Sequence, residues 1–369
     1  MTKPMNIISR FRKQSPNSRG VSLTERPGRN PAQKRNSRQK LVELRSFQEK
    51  FSRYTGEKLS GLQVLFRLGE TVLHAILPWV LMCGTYGAVI SLLSHLGFLS
   101  AVKESKALPH VAVALNIALS LLLVFRTNAA HERFWEGRKL WGSMVNTVRN
   151  CVRSIWVTVE ERLPGDRTQK EDSMRLVAAF AVAMKLHLRR DPITLNDELE
   201  PLMSPLQYCR IQEASHGPLE IAFWLEDYVQ HQYENRHING FQLQDLHKLL
   251  NDLVDILGGC ERILKTPVPI GYTMTLKLLL VAYFIIVPLE LVDSLHWWVG
   301  PSTAFISLIF LSIHEVSSEI EEPFGHDPND LPLDFICETI KRNVEDLIQH
   351  APSSRRMVEW PRASSSMVN

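Results

Sequence analysis

Side chains suited to handling ions gather at two places in this chain. The first is Phe125-Arg-Thr-Asn-Ala-Ala-His-Glu-Arg133-Phe-Trp-Glu-Gly-Arg138-Lys-Leu-Trp-Gly142, which follows the apolar run Val111–Val124 with no turn residue between. At such a join Arg126 could attract an anion, or pair with an acid such as Glu132. The amide of Asn128 could donate to an anion or bond a neighbouring helix. Arg133, Glu136, Arg138 and Trp141 suit locking of helices by salt bridges and stacking. The second place holds His314, Glu315, Glu319, Glu321, Glu322, Asp327, Asn329 and Asp330. Hard oxygen ligands at close spacing can hold Ca²⁺; the alternative is a capped, solvated turn. His314-Glu315 lacks the second histidine of H-E-x-x-H, so it does not point to zinc.

These groups must be positioned by membrane helices. Four segments, 71–93, 109–127, 273–292 and 296–313, are apolar over lengths near that needed to cross hydrocarbon. The second is short by itself and is extended by the charged helix that follows it. Trp297 and Trp298 fit an aromatic belt at the start of the fourth. A single segment of this kind could be a buried core helix. Four of them, in two pairs around a long polar centre, predict an integral membrane protein. An even number puts both termini on one side, and the basic residues mark that side as cytoplasmic or stromal.

Overall content is ordinary, 45% hydrophobic and 22% charged, so the average conceals the apolar segments. The net charge of +3 is unevenly spread. Residues 1–60 hold fifteen Lys or Arg against four acids, which leaves the rest of the chain net acidic. That basic tail is expected to be disordered, since it has few large apolar residues to offset the entropy of ordering. It reads either as a transit peptide or as a juxtamembrane tail held by anionic lipid. Residues 352–369 are also expected to be disordered. Five scattered cysteines form no C-x-x-C pair and are expected to be reduced packing residues.

Between the second and third segments, residues 130–270 read as helical. Ser173–Leu188 has a helical apolar pattern, and so do Leu243, Leu246, Leu250, Leu253 and Leu257. Gly258-Gly259 and then Pro267 and Pro269 are the expected stops of that second helix. No alternating strand pattern is evident. No phosphate-cradling glycine loop, nucleophile elbow or metal triad indicates an enzyme. The basic tail lacks the interleaved aromatics of a nucleic-acid binder.

Three motifs resemble the bestrophin-like anion channels, in the prokaryotic and plastid subgroup. They are the 125–142 segment, Glu322-Pro-Phe-Gly-His-Asp-Pro-Asn-Asp-Leu-Pro-Leu-Asp334, and Thr266-Pro-Val-Pro-Ile-Gly-Tyr-Thr273. The resemblance spans about residues 60–345. It implies an all-α membrane protein with four transmembrane helices and a helical cytoplasmic domain, assembled as a homopentamer around a central pore. The channel domain is then 61–351. The pore would be lined by the second membrane helix and pass chloride or other small anions. By this resemblance Ile117, Leu121 and Phe125 form an apolar neck, Arg126 and Asn128 flank its inner mouth, and Ile193 of Arg190-Asp-Pro-Ile forms a cytoplasmic aperture. On the residues alone, the 117/121/125 stripe could instead pack on a neighbouring helix, and Arg190–Ile193 could be a plain helix N-terminal turn. Asp327 and Asp330 match positions of the calcium clasp of animal members, but Pro328 and Asn329 interrupt the acidic run. Some prokaryotic members pass cations, so a cation-permeable homologue and a non-conducting scaffold are the alternatives. The subgroup suits a bacterial plasma membrane or the thylakoid membrane of chloroplasts.

Overall fold

The computed structural model describes residues 72–99, 107–193, 198–327 and 329–350. The expectations for the tails at 1–60 and 352–369 fall outside these residues, as does Pro328. The described residues are helical, with no strand among them. Among the described residues nine α-helices follow in order: α1 Val72–His95, α2 Leu108–Thr158, α3 Asp166–Arg189, α4 Pro205–Glu213, α5 Gly217–Glu234, α6 Gly240–Lys265, α7 Ile270–Leu295, α8 Val299–Glu321 and α9 Leu333–His350.

Three apolar stretches are long enough to cross a membrane: α1, α2 and the 52 residues Ile270–Glu321. The last folds back on itself, so the chain makes four passes. A 3₁₀ turn, His296–Trp298, separates α7 from α8, and His296 adopts φ 48°. Tyr283 then meets Phe310 edge to face at 5.2 Å. At the far end the amide of Val268 donates to the Glu321 carboxylate at 3.2 Å. Contacts at both ends define an antiparallel hairpin.

Helix α8 packs against α1 through small residues. A Cβ at Gly87 would lie 2.9 Å from Thr303 Oγ1, and one at Gly300 would lie 3.1 Å from the Gly84 carbonyl oxygen. Between helices in lipid, such close backbone approach is a main source of attraction, because the tails are as apolar as the side chains.

Helix α2 is continuous for 51 residues, about 75 Å at 1.5 Å per residue. Its first half packs on α7 and α8 through Leu119 and Leu123. Its second half enters a polar-surfaced helical bundle whose core includes Trp141, Met144, Val148, Phe180, Met184, Leu250 and Leu253. Helix α3 is the centre of that bundle, buried almost without break from Met174 to Leu186. Lys185 is buried there with two carboxylates, Glu198 at 2.7 Å and Asp334 at 2.9 Å.

Helix α6 starts at an Asn239/Gln242 capping box, which satisfies otherwise unpaired amides. The expected stop at Gly258-Gly259 is not one. The helix continues through both glycines to Lys265. Gly259 is needed for packing, since a Cβ there would come 3.0 Å from Leu140 Cδ2. Thr266-Pro267 ends the helix instead. Four cysteines, Cys83, Cys151, Cys260 and Cys337, are buried and Cys209 is exposed, all as free thiols.

Candidate permeation pathway

The apolar positions expected to form the neck lie on a face of α2 that is exposed among the described residues. Ile117, Leu121 and Phe125 are 63%, 53% and 54% exposed. Leu119, Leu123 and Arg126 are buried on the opposite face. Among the described residues the exposed stripe is therefore not packed on a neighbouring helix. It continues down α2 with helical spacing through Val113, Val124, Asn128, Glu132, Trp135, Lys139, Asn146, Arg149 and Arg153, all exposed. Its chemistry changes along its length, from aliphatic to amide to mostly basic. Asn128 keeps its expected place on this stripe.

Arg126 does not. It is 2% exposed, and its guanidinium points into the α8 contact, donating to His314 Nδ1 at 2.8 Å and facing Glu321 Oε2 at 3.4 Å. The expectation that Arg126 flanks the mouth is corrected. Adjacent helical residues point about 100° apart, so with Phe125 on the open face Arg126 must turn inward. An arginine carries no acceptor, so His314 accepts through Nδ1 and holds its proton on Nε2. The Arg126 pair is with Glu321 and not with Glu132, which is exposed.

Arg133 collects the carbonyl ends of two helices. It donates to Ile263 O at 2.8 Å, to Thr266 O and to Glu321 O at 3.0 Å. These oxygens belong to the C-terminal ends of α6 and α8, where carbonyls lack helical partners and the macrodipole favours a cation. Glu136 bonds Arg262 at 2.6 Å and Trp141 is fully buried, so both join helices as expected. Arg138 is exposed on the stripe and makes no ion pair among the described residues.

Ile193 lies just beyond the end of α3, where a 3₁₀ turn begins. Arg190 adopts φ 60°, and the Asp191 amide bonds back to the Leu186 carbonyl at 2.9 Å. The Ile193 side chain is half-buried, and a Cβ on Gly217 would lie 2.9 Å from its Cδ1.

After α8 the chain makes a closed turn. Asp330 Oδ2 accepts the Asp327 amide at 2.8 Å, and the Asp330 amide returns to the Asp327 carbonyl at 3.0 Å. Asn329 donates to Glu319 Oε2. The Asp330 carboxyl is pushed up to about 6, chiefly by burial and also by Asp327 and Glu319 nearby. Among the described residues, the group with metal-ligand spacing lies elsewhere, at His187, His216 and Glu261. No sequence motif marks that group.

Apolar helices that pass directly into a helical bundle, with an unpartnered stripe running through both, define an α-helical integral membrane protein of channel type. The chain belongs to the bacterial and fungal bestrophin family, whose model matches residues 53–346. It is 47% identical to a voltage-dependent anion channel-forming protein of Nostoc, over 82% of this chain and 96% of that protein. It is 44% identical to another protein of that description from Synechocystis, over 78% of this chain and 92% of the relative. A crystal structure of a bacterial bestrophin homologue from Klebsiella pneumoniae superposes with a TM-score of 0.66 at 28% identity, covering 74% of this chain and 100% of that one.

Proposed function

We propose that this protein is a homopentameric channel for chloride and other small anions. Its pore is lined by α2, with Ile117, Leu121 and Phe125 as the neck. The observation that carries this reading is the exposure of those three residues on one face of a helix whose opposite face is buried. In a membrane an apolar face left open in the subunit is met by lipid, by other copies or by a pore; the continuation of this one into exposed Asn128, Glu132 and Lys139 favours the pore. Five copies would stack the side chains into rings that conduct or close by wetting and dewetting. Arg138, Lys139, Arg149 and Arg153 further along the stripe outnumber Glu132, which raises local anion concentration over that of cations. This excess favours the anion reading over a cation-permeable homologue, and the relatives named for anion channels agree with it.

Asp327 and Asp330 are assigned to the turn that closes the hairpin end, not to calcium. In support, Asp330 already holds the Asp327 amide. Equal currents in EGTA and in micromolar calcium are expected. The bundle is placed on the cytoplasmic or stromal side, in a bacterial plasma membrane or a thylakoid membrane. The deciding experiment is the reversal potential of the purified protein in a planar bilayer with asymmetric chloride. A value near the chloride equilibrium potential is expected. One near the cation potential, or no current at all, overturns the reading.

A further inference from the structure

We propose that His187, His216 and Glu261 form a binding site for a divalent transition-metal ion of the zinc class, beside Ile193. His187 lies in the last turn of α3, His216 caps the N-terminus of α5, and Glu261 lies near the end of α6. Both imidazole Nε2 atoms are 2.8 Å from the same oxygen, Glu261 Oε1. The two rings lie against each other tilted by 33°, with centroids 4.3 Å apart. All three ligand atoms fall within 4.8 Å of one another. Two imidazoles and a carboxylate are a borderline-soft donor set that suits zinc, copper or nickel over magnesium or calcium. They would leave a fourth position for water. A tetrahedral zinc with bonds of ~2.0–2.1 Å holds its ligands roughly 3.3 Å apart, so the present triangle needs to open by about half an ångström on the two Glu261 edges. The site is partly open to solvent, which lets an ion enter. Lys265 holds the other carboxylate oxygen, Glu261 Oε2, at 2.7 Å and so leaves Oε1 turned toward the rings.

Binding has a structural consequence. With no ion, the Nε2 proton of each ring is donated to Glu261. His216 Nδ1 is then free to accept the Leu219 amide at 3.3 Å, capping α5. An ion on Nε2 moves each ring's proton to Nδ1 without net release. The His216 ring can no longer accept from Leu219, and the cap is lost. The next residue, Gly217, is the one packed on Ile193. Metal occupancy would thus be transmitted to the position assigned to the cytoplasmic aperture. That last step rests on the channel reading; the binding itself does not.

The test uses purified full-length protein, stripped of metal, titrated with Zn²⁺ against a chromophoric chelator. One zinc per chain at micromolar affinity or tighter is expected, weakened at least tenfold by His187→Ala and by Glu261→Gln. No saturable site, or one that neither substitution weakens, overturns the proposal. If the variants fail to fold, zinc X-ray absorption of the unmodified protein decides. Two imidazole ligands support the site, and an all-oxygen shell overturns it. Zinc that binds here to a protein passing no current would leave the site standing and remove the channel reading.

Discussion

Arg133 donates its Nε–H to the main-chain oxygen of Glu321 at 3.0 Å, while the Glu321 carboxylate faces Arg126 at 3.4 Å. Two arginines of α2, seven positions apart, therefore hold the end of α8 twice, once by its backbone and once by its side chain. This links the last membrane pass to the long helix at the level where α2 leaves the apolar layer. Arg133→Lys supplies one charge but not a fork that reaches three carbonyls. With charge-assisted bonds worth ~1.5–3 kcal/mol each, the loss of two of the three should cost about 3–6 kcal/mol in total. Thermal scans of the detergent-solubilised protein at a fixed rate should show a clearly lower transition, with Lys no better than Gln at this position.

Arg126→Gln separates two roles for that residue. Removing one partner of a buried ion pair typically costs ~3–5 kcal/mol. Expression and thermal stability should fall, and Glu321→Gln in the same chain should restore part of the loss. The reversal potential in asymmetric chloride should stay where it was. A shift toward the cation potential would return Arg126 to the conduction path.

Replacing Ile117, Leu121 and Phe125 together by Ala widens the proposed rings and removes the surface that dewets. Larger unitary currents, or loss of the closed state, are expected in planar bilayers. Currents indistinguishable from those of the unmodified channel would mean that the neck lies elsewhere.

Gly300→Leu places a side chain where a single Cβ already meets the Gly84 carbonyl at 3.1 Å and Ala88 Cβ at 3.2 Å. Overpacking of this kind costs about 1–3 kcal/mol, and backbone on one side leaves little to yield. The α1–α8 pair should loosen, seen as faster exchange or proteolysis of α1. Gly258→Ala, with nothing near its Cβ, should be neutral or slightly stabilising.

Asp330 supplies a pH signature. Burial pushes its carboxyl up to about 6 in the folded protein, from an ordinary value of 3.8. Folding therefore favours the neutral acid. That favourable contribution is complete below about 3.8 and is lost as pH rises through about 6. Between pH 7 and pH 5 the native protein should gain ~1 kcal/mol from this group. Asp330→Asn should show a smaller gain over the same interval by denaturant titration. Identical pH profiles for the two proteins would remove Asp330 as the source.

The membrane passes were legible in the sequence because lipid imposes a composition over some twenty residues, and that pattern survives any tertiary detail. The exposed stripe of α2 was legible in part, since residues spaced by four stay near one helix face; its reading as a neck comes from the motif resemblance and stands as the proposal. The turn from Phe125 to Arg126 followed from helix geometry, yet an arginine beside a pore-facing residue invites an electrostatic reading. Its burial depends on His314 and Glu321, which lie about 190 residues away. Gly258-Gly259 gave a false stop because tertiary contact with α2 outweighs local propensity. His187, His216 and Glu261 left no trace at all, since they come from three helices and meet only after folding.

The unbroken course of α2 limits how such a pathway could open. The three side chains proposed as its neck ride on one stiff rod, each about 40° around the axis from the last. A small axial turn of that rod would swing all of them together, retracting one level of the constriction as it advances another. Torque applied to its far end, where it is clasped by the bundle, would reach the membrane as rotation with little lost to bending. A device of this kind behaves as an iris driven from its base, without a local hinge.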